Sequence, residues 1–266
     1  MPDLRVKSGT PASDGCVLSI TPESAGWDHV GFAVHRLEEG KGFESAASSR
    51  ETCLVILTGT ARVSVGTEVF AHLGERKTVF EGPPAAVYIP AGERYSVTAE
   101  MPLEVAVCSA PGGGNHPARV IAPGSIEKEI RGKAANTRYV QDILSDRDPA
   151  HSLLVVEVIT PGGNWSSYPP HKHDTDTLPE ESALEETYYH RLNPPQGFAV
   201  QRVYTDDRSL DETVSVEDGD CVMVPAGYHP VGAPYGYDLY YLNVMAGAKR
   251  KWVFRNDPAH EWIIKK

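Results

Sequence analysis

The sequence predicts an all-β chain made of two tandem β-barrels. Three observations predict it. Apolar, β-branched runs of strand length recur along the chain, Gly (24) and Pro (21) cut it into short segments, and one strand-and-turn pattern returns after a fixed interval. Short strands with closely spaced turn signals are the pattern of a sandwich or barrel. No long stretch carries a helical period.

In chain order, the first strands are Cys53-Leu54-Val55-Ile56-Leu57, Ala61-Arg62-Val63-Ser64-Val65, Val87-Tyr88-Ile89 and Val105-Ala106-Val107. A second set follows: Leu153 to Ile159, Phe198-Ala199-Val200, Val222-Met223-Val224 and Tyr237 to Val244. Several alternate with period two, which turns one face toward a core. Ile126 to Leu144 has room for a short helix at most. The repeat lies between Val87-Tyr88-Ile89-Pro90-Ala91-Gly92-Glu93-Arg94 and Val222-Met223-Val224-Pro225-Ala226-Gly227-Tyr228-His229, where 222 − 87 gives 135 residues. Glu51 and Glu186 each open an apolar strand, and 186 − 51 gives the same 135. A duplicated β unit accounts for both. Pro111-Gly112-Gly113-Gly114-Asn115 has the composition of a linker, so the expected domains are residues 1–111 and 112–266.

The 266 residues suffice for two ordinary domains with real cores. Hydrophobic residues at 41% against 23% charged exclude wholesale disorder. Twenty-five Lys and Arg against 36 Asp and Glu leave a net charge of −11. That balance argues against nucleic acid or an anionic membrane as the main partner. No apolar run approaches the roughly 20 residues that cross a bilayer, and Met1-Pro2-Asp3-Leu4-Arg5 lacks a signal segment. Cys16, Cys53, Cys108 and Cys221 are scattered without a CxxC pair. Reduced thiols in the cytoplasm are the simpler expectation.

Pro169-Pro170-His171-Lys172-His173 is the strongest chemical signal. Residues i and i+2 of a strand face one side, so His171 and His173 can point together into a barrel. Paired imidazoles suit a first-row divalent metal. Glu185 or Glu186 can add a third ligand and His229 a fourth. Glu186 is favoured by its repeat partner Glu51 and by its phase with Tyr188 and His190. Lys172, between the histidines, is turned away from the metal by the same alternation. The polar stretch Asp174 to Leu184 reads as a loop over the barrel mouth.

The order HxH, Glu, then Gly219, Pro225, Gly227 and His229 resembles the two motifs of the cupin superfamily. That resemblance implies jelly-roll barrels with a metal on three His and one Glu. The sequence departs from the motifs in the long interval between His173 and Glu186 and in the short one between Gly227 and His229. The N-terminal half departs further, with Arg94 in the place of His229 and no partner for His29 or His35. It reads as a metal-free copy with a packing or assembly role. Longer segments (Pro169 to Asp174, Leu184 to Phe198, Gln201 to Arg208) resemble the 5-deoxy-glucuronate isomerases of bacterial inositol catabolism, a bicupin family with its metal in the C-terminal barrel. The resemblance implies an aldose–ketose isomerisation of 5-deoxy-D-glucuronate to 5-dehydro-2-deoxy-D-gluconate, acting on a small uronate-type sugar acid.

Such a reaction needs a Lewis acid to stabilise charge developing on the carbonyl and hydroxyl oxygens. Zinc is the first expectation from ligand type, and manganese or iron(II) accept the same set. Candidates for the base are Glu185, His190, Tyr188 and Tyr241. The substrate carboxylate needs a cation, for which Arg202, in an apolar strand run, is the expected residue. Two other readings compete: an iron-dependent cupin dioxygenase, which would consume oxygen, and a non-catalytic sugar-binding bicupin, which would need no metal. The metal-free N-terminal barrel is compatible with a homo-oligomer.

Overall fold

A computed structural model describes residues 3–265. Apart from one four-residue helix, Pro22–Ala25, and three 3-10 turns, its regular structure is β. The chain divides into two compact units. One comprises Ser8–Glu127 and Asp142–Val155; the other comprises the described parts of Met1–Lys7, Lys128–Gln141 and Val156–Lys266. Two barrels in tandem were expected, but a single cut after residue 111 was not the observed division. Strand pairing explains the difference. Arg119–Ile121 lies beyond that cut yet pairs antiparallel with Ala86–Ile89, and Arg5–Val6 pairs with Cys221 and Val222 at the far end of the sequence. The Gly112 link is also held, its N–H donating to Ser49 O, and a Cβ there would meet the Glu51 nitrogen at 2.7 Å.

The first unit has a six-stranded sheet, with Arg50–Thr58 and Leu103–Pro111 at its centre, and a four-stranded sheet built on Ala61–Val65 and Tyr95–Ala99. Residues alternate across both, and the apolar set of each meets in one core that includes Leu54, Ile56, Val63, Val87, Val97 and Val105. Glu51 is fully buried at the start of Arg50–Thr58. Its carboxylate accepts the backbone N–H groups of His151, Ser152 and Leu153 and the Tyr88 hydroxyl. Four donors around one carboxylate satisfy its lone pairs, which is the condition for burying it.

In the second unit the larger sheet places Glu185–Asn193 between Cys221–Val224 and Asp238–Ala246, and Leu154–Thr160 follows. A four-stranded sheet carries Ala199–Tyr204, and a two-stranded one pairs His171–Lys172 with Arg255–Asn256. Adding the repeat interval to Arg50–Thr58, Ala86–Ile89 and Leu103–Pro111 gives the bounds of Glu185–Asn193, Cys221–Val224 and Asp238–Ala246. Gly92 and Gly227, matched by the same interval, both adopt left-handed backbone at φ 89° and 90°. At Gly227 a Cβ would lie 2.4 Å from Tyr204 O, so the turn admits little besides glycine. The Ile126 to Leu144 stretch holds two strands, Glu127–Arg131 and Arg138–Leu144, around the 3-10 turn Ala134–Asn136 rather than an α-helix.

Candidate metal centre

Glu186, Tyr188 and His190 stand at alternate positions of Glu185–Asn193, so pleating turns all three to one buried face. The centre forms where Glu186 meets two histidines from other segments. One ligand atom each from His173, Glu186 and His229 lies within 4.8 Å of the others, and all three residues are buried. Glu186 Oε2 is 3.1 Å from His173 Nε2 and 3.3 Å from His229 Nε2. Each imidazole is oriented by its other nitrogen: His173 Nδ1 is 3.2 Å from Leu184 O, and His229 Nδ1 is 2.8 Å from Gly227 O. Backbone carbonyls at Nδ1 hold the proton there and leave Nε2 as the donor lone pair, the arrangement metal-binding histidines use. His229 Nε2 is buried without a hydrogen-bond partner, a polar atom whose position an ion would explain. Two imidazole nitrogens and a carboxylate oxygen suit a first-row divalent cation.

His171 stands beside the cluster rather than inside it. Its ring is edge-on to His229 at 4.9 Å and lies 6.4 Å from His173. Burial, then the neighbouring His229 and His173, push its pKa well below the usual value. Burial also pushes His229 down to about 4. Burial disfavours charge on His173 too, but the Glu186 carboxylate hydrogen-bonded to it raises that pKa. Glu185, the alternative carboxylate, is half-buried on the opposite phase of the strand.

His171 also lines a cavity of about 620 Å³. Its walls come from Gly132 to Arg138, from Trp165, Tyr168 and Pro169, and from Phe254, Asn256, Ile263 and Ile264. The Asp174 to Leu184 loop, expected over the mouth, supplies none of the lining. It is folded back instead: Leu184 N–H donates to His173 O, Asp174 pairs with Ala183, and Glu181 accepts the N–H groups of Asp174 and Thr175. Lys172 pins it. Turned away from the histidines as expected, its ammonium is 2.5 Å from Asp174, 3.6 Å from Glu181 and 3.2 Å from Asp206.

Tyr188, Tyr241 and His190 are buried beyond the cluster and do not line the cavity. The Tyr188 ring is 5.7 Å from His229, 4.9 Å from Tyr241 and 5.9 Å from His190. The hydroxyl of Tyr188 bonds Ser167 Oγ and that of Tyr241 bonds Ser166 Oγ. Burial raises both phenol pKa values, that of Tyr188 strongly. His190 Nε2 is 3.0 Å from Gln201 Oε1, Nδ1 is buried without a partner, and burial takes the ring down to about 4. Sequence reasoning missed Gln201, Ser166 and Ser167. The signal for Gln201 was its odd phase in an apolar alternating run.

The expectation for Arg202 needs correction. In Ala199–Tyr204 the inward positions are Ala199, Gln201 and Val203, so alternation turns Arg202 outward. There Nε and Nη2 each bond Asp211 at 2.7 Å, and the guanidinium lies over the Tyr204 ring at 4.5 Å. A cation already held by a bidentate carboxylate on the outer face is not placed to receive a substrate.

Residues 4–263 match the model of the KduI/IolB family. A 5-deoxy-glucuronate isomerase of Geobacillus kaustophilus is 55% identical over 265 residues, covering 99% of this chain and 96% of that protein. The crystal structure of an IolB-like protein from Salmonella typhimurium is similar at a TM-score of 0.96 and 50% identity, covering 98% and 99% of the two chains. Oxalate decarboxylase of Lactobacillus farciminis shares the fold alone, at a TM-score of 0.68 and 13% identity over 96% of this chain and 89% of that one. The bicupin fold thus stands on both sequence and architecture, and the chain belongs to the KduI/IolB family.

Proposed function

We propose that this chain isomerises 5-deoxy-D-glucuronate to 5-dehydro-2-deoxy-D-gluconate in inositol catabolism, at a divalent metal held by His173, Glu186 and His229 with His171 as the fourth donor. The observation that carries the reading is the buried convergence of His173, Glu186 and His229 beside a cavity, in a chain about half identical to named 5-deoxy-glucuronate isomerases. Bound there, the ion supplies Lewis acidity toward the substrate's carbonyl and hydroxyl oxygens. Zinc is the first candidate by ligand type, with manganese and iron(II) accepting the same donors.

The chain's own groups divide the remaining work. Burial keeps His171 and His229 neutral near pH 7, so both offer lone pairs rather than protons. Tyr188 and Tyr241 stay protonated and can donate hydrogen bonds toward developing negative charge, but they are poor bases. His190 is the neutral acceptor of the group, its Nδ1 buried without a partner, but it stands outside the cavity and so is not placed to take a proton from the substrate directly. The N-terminal barrel serves packing or self-association in this reading. Four free cysteines favour a reducing compartment such as the cytoplasm.

His173→Ala and His229→Ala test the assignment. Each should lower bound metal well below one per chain and reduce kcat by at least about 100-fold, with the far-ultraviolet spectrum unchanged and no oxygen consumed by the parent protein. Stoichiometric metal with full turnover in either variant would contradict the ligand set, and substrate-dependent oxygen uptake would replace the isomerase with a dioxygenase.

A further inference from the structure

With Arg202 held on the outer face, the anion of a sugar acid needs another partner. The cavity walled by His171 has an unusual charge balance for a chain of net charge −11. Among the described residues its lining includes Arg138 and Lys133 and no carboxylate. Lys133 is exposed, whereas Arg138 is half-buried at the start of Arg138–Leu144. Among the described residues the Arg138 side chain makes its hydrogen bonds through Nη1, to Asn136 O at 3.1 Å, Asn136 Oδ1 at 3.3 Å and Tyr168 O at 3.4 Å. Among the described residues no carboxylate pairs with it, while Arg131, Arg191 and Arg202 pair with Glu129, Asp218 and Asp211.

The geometry points to Arg138 as a carboxylate subsite: Nη1 is anchored by neutral oxygens of the chain, and the Nε/Nη2 edge receives the substrate's carboxylate in the cavity beside the metal centre. Three physical reasons support it. A guanidinium withdrawn from water without a counter-charge is costly, and an anionic ligand offsets that cost. The Nε/Nη2 edge is one of the two edges that take a carboxylate bidentately. Anchoring Nη1 pre-orders a flexible side chain, so less freedom is lost on binding. His171 lines the same cavity, so a six-carbon acid lying along it would present its carboxylate to Arg138 and its carbonyl end toward the histidines. This subsite rests on the isomerase reading and names how it selects an acid.

The test compares the metal-loaded parent protein with Arg138→Gln, Arg138→Lys and Lys133→Gln. Two aldoses serve as substrates, 5-deoxy-D-glucuronate and its neutral counterpart with a hydroxymethyl group in place of the carboxylate. The parent should prefer the acid. In Arg138→Gln that preference in kcat/KM should fall on the order of 10- to 100-fold, mainly through KM, with Arg138→Lys between and Lys133→Gln close to the parent. Metal content and Tm should match the parent in all three. An undiminished preference in Arg138→Gln, or one lost in Lys133→Gln instead, would overturn the subsite. Borohydride-reduced substrate keeps the carboxylate and cannot isomerise, so its titration judges Arg138 independently of turnover. Binding at least 10-fold weaker to Arg138→Gln supports the subsite, and equal binding overturns it. A parent protein that binds the reduced acid but converts neither aldose contradicts the isomerase reading alone.

Discussion

At the scale of single residues, the second unit buries imidazoles in a way that makes its stability depend on pH. His190 is fully buried, and its pKa falls from 6.5 to about 4 because burial penalises the charged ring. Between those values the unfolded chain binds the proton and the folded chain does not, so stability rises with pH across that window. The contribution is complete above pH 6.5, is lost as pH falls toward 4, and levels off below, with a slope of at most about 1.4 kcal/mol per pH unit. His190→Gln removes it. Urea unfolding at pH 7 and pH 4.5 should show a smaller loss of stability on acidification for the variant; equal losses would mean that the ring does not titrate as its burial implies. The convergence of His173, Glu186 and His229 was legible in the sequence because ligand chemistry requires particular residue types at particular phases, whereas His171, from the same motif, stands beside the cluster. Arg202 was misread because alternation gives relative phase along a strand but not which face is inner. Only the pairing of Ala199–Tyr204 with Asp211–Val216, which brings Asp211 to Arg202, decides that.

Between residue and fold, the elements that hold the histidines are short, and charge holds them in place. His171–Lys172 is two residues long and, among the described residues, pairs with Arg255–Asn256 alone. Lys172 joins it to the following loop, its side chain 6% exposed beside Asp174 at 14% and Glu181 at 2%. Removing the ammonium would leave two nearly buried carboxylates uncompensated. Lys172→Met should therefore cost about 3–5 kcal/mol in urea unfolding and weaken metal binding through the displaced histidines. A variant as stable as the parent would show the loop to be held by its backbone bonds instead. The repeat was visible in the sequence because Pro-Ala-Gly turns and the opening Glu survive in both halves. Arg138 was not, since the cavity gathers residues 132–138, 165–171 and 254–264, segments far apart in sequence that only the tertiary fold assembles.

For the whole molecule, one duplicated framework carries two uses of the same carboxylate position. Glu186 faces two histidines, while Glu51, one repeat interval earlier, faces three backbone N–H groups and a tyrosine hydroxyl. The first arrangement suits a cation and the second consumes the carboxylate in hydrogen bonds. The expected boundary after residue 111 failed for a related reason: strand exchange in the sheets ignores the order of the sequence, as Arg5–Val6 pairing beside Cys221–Val224 shows. Isomerisation at the His/Glu centre of the second unit can be followed with the purified protein and 5-deoxy-D-glucuronate by NMR in deuterated water, before chelation, after chelation and after metal is restored. The ketose should form, stop forming on chelation and form again with metal, with deuterium entering at C1 if the proton moves through an enediol. Ketose formation unaffected by complete metal removal, or no conversion by the metal-loaded protein, would contradict isomerisation at this centre.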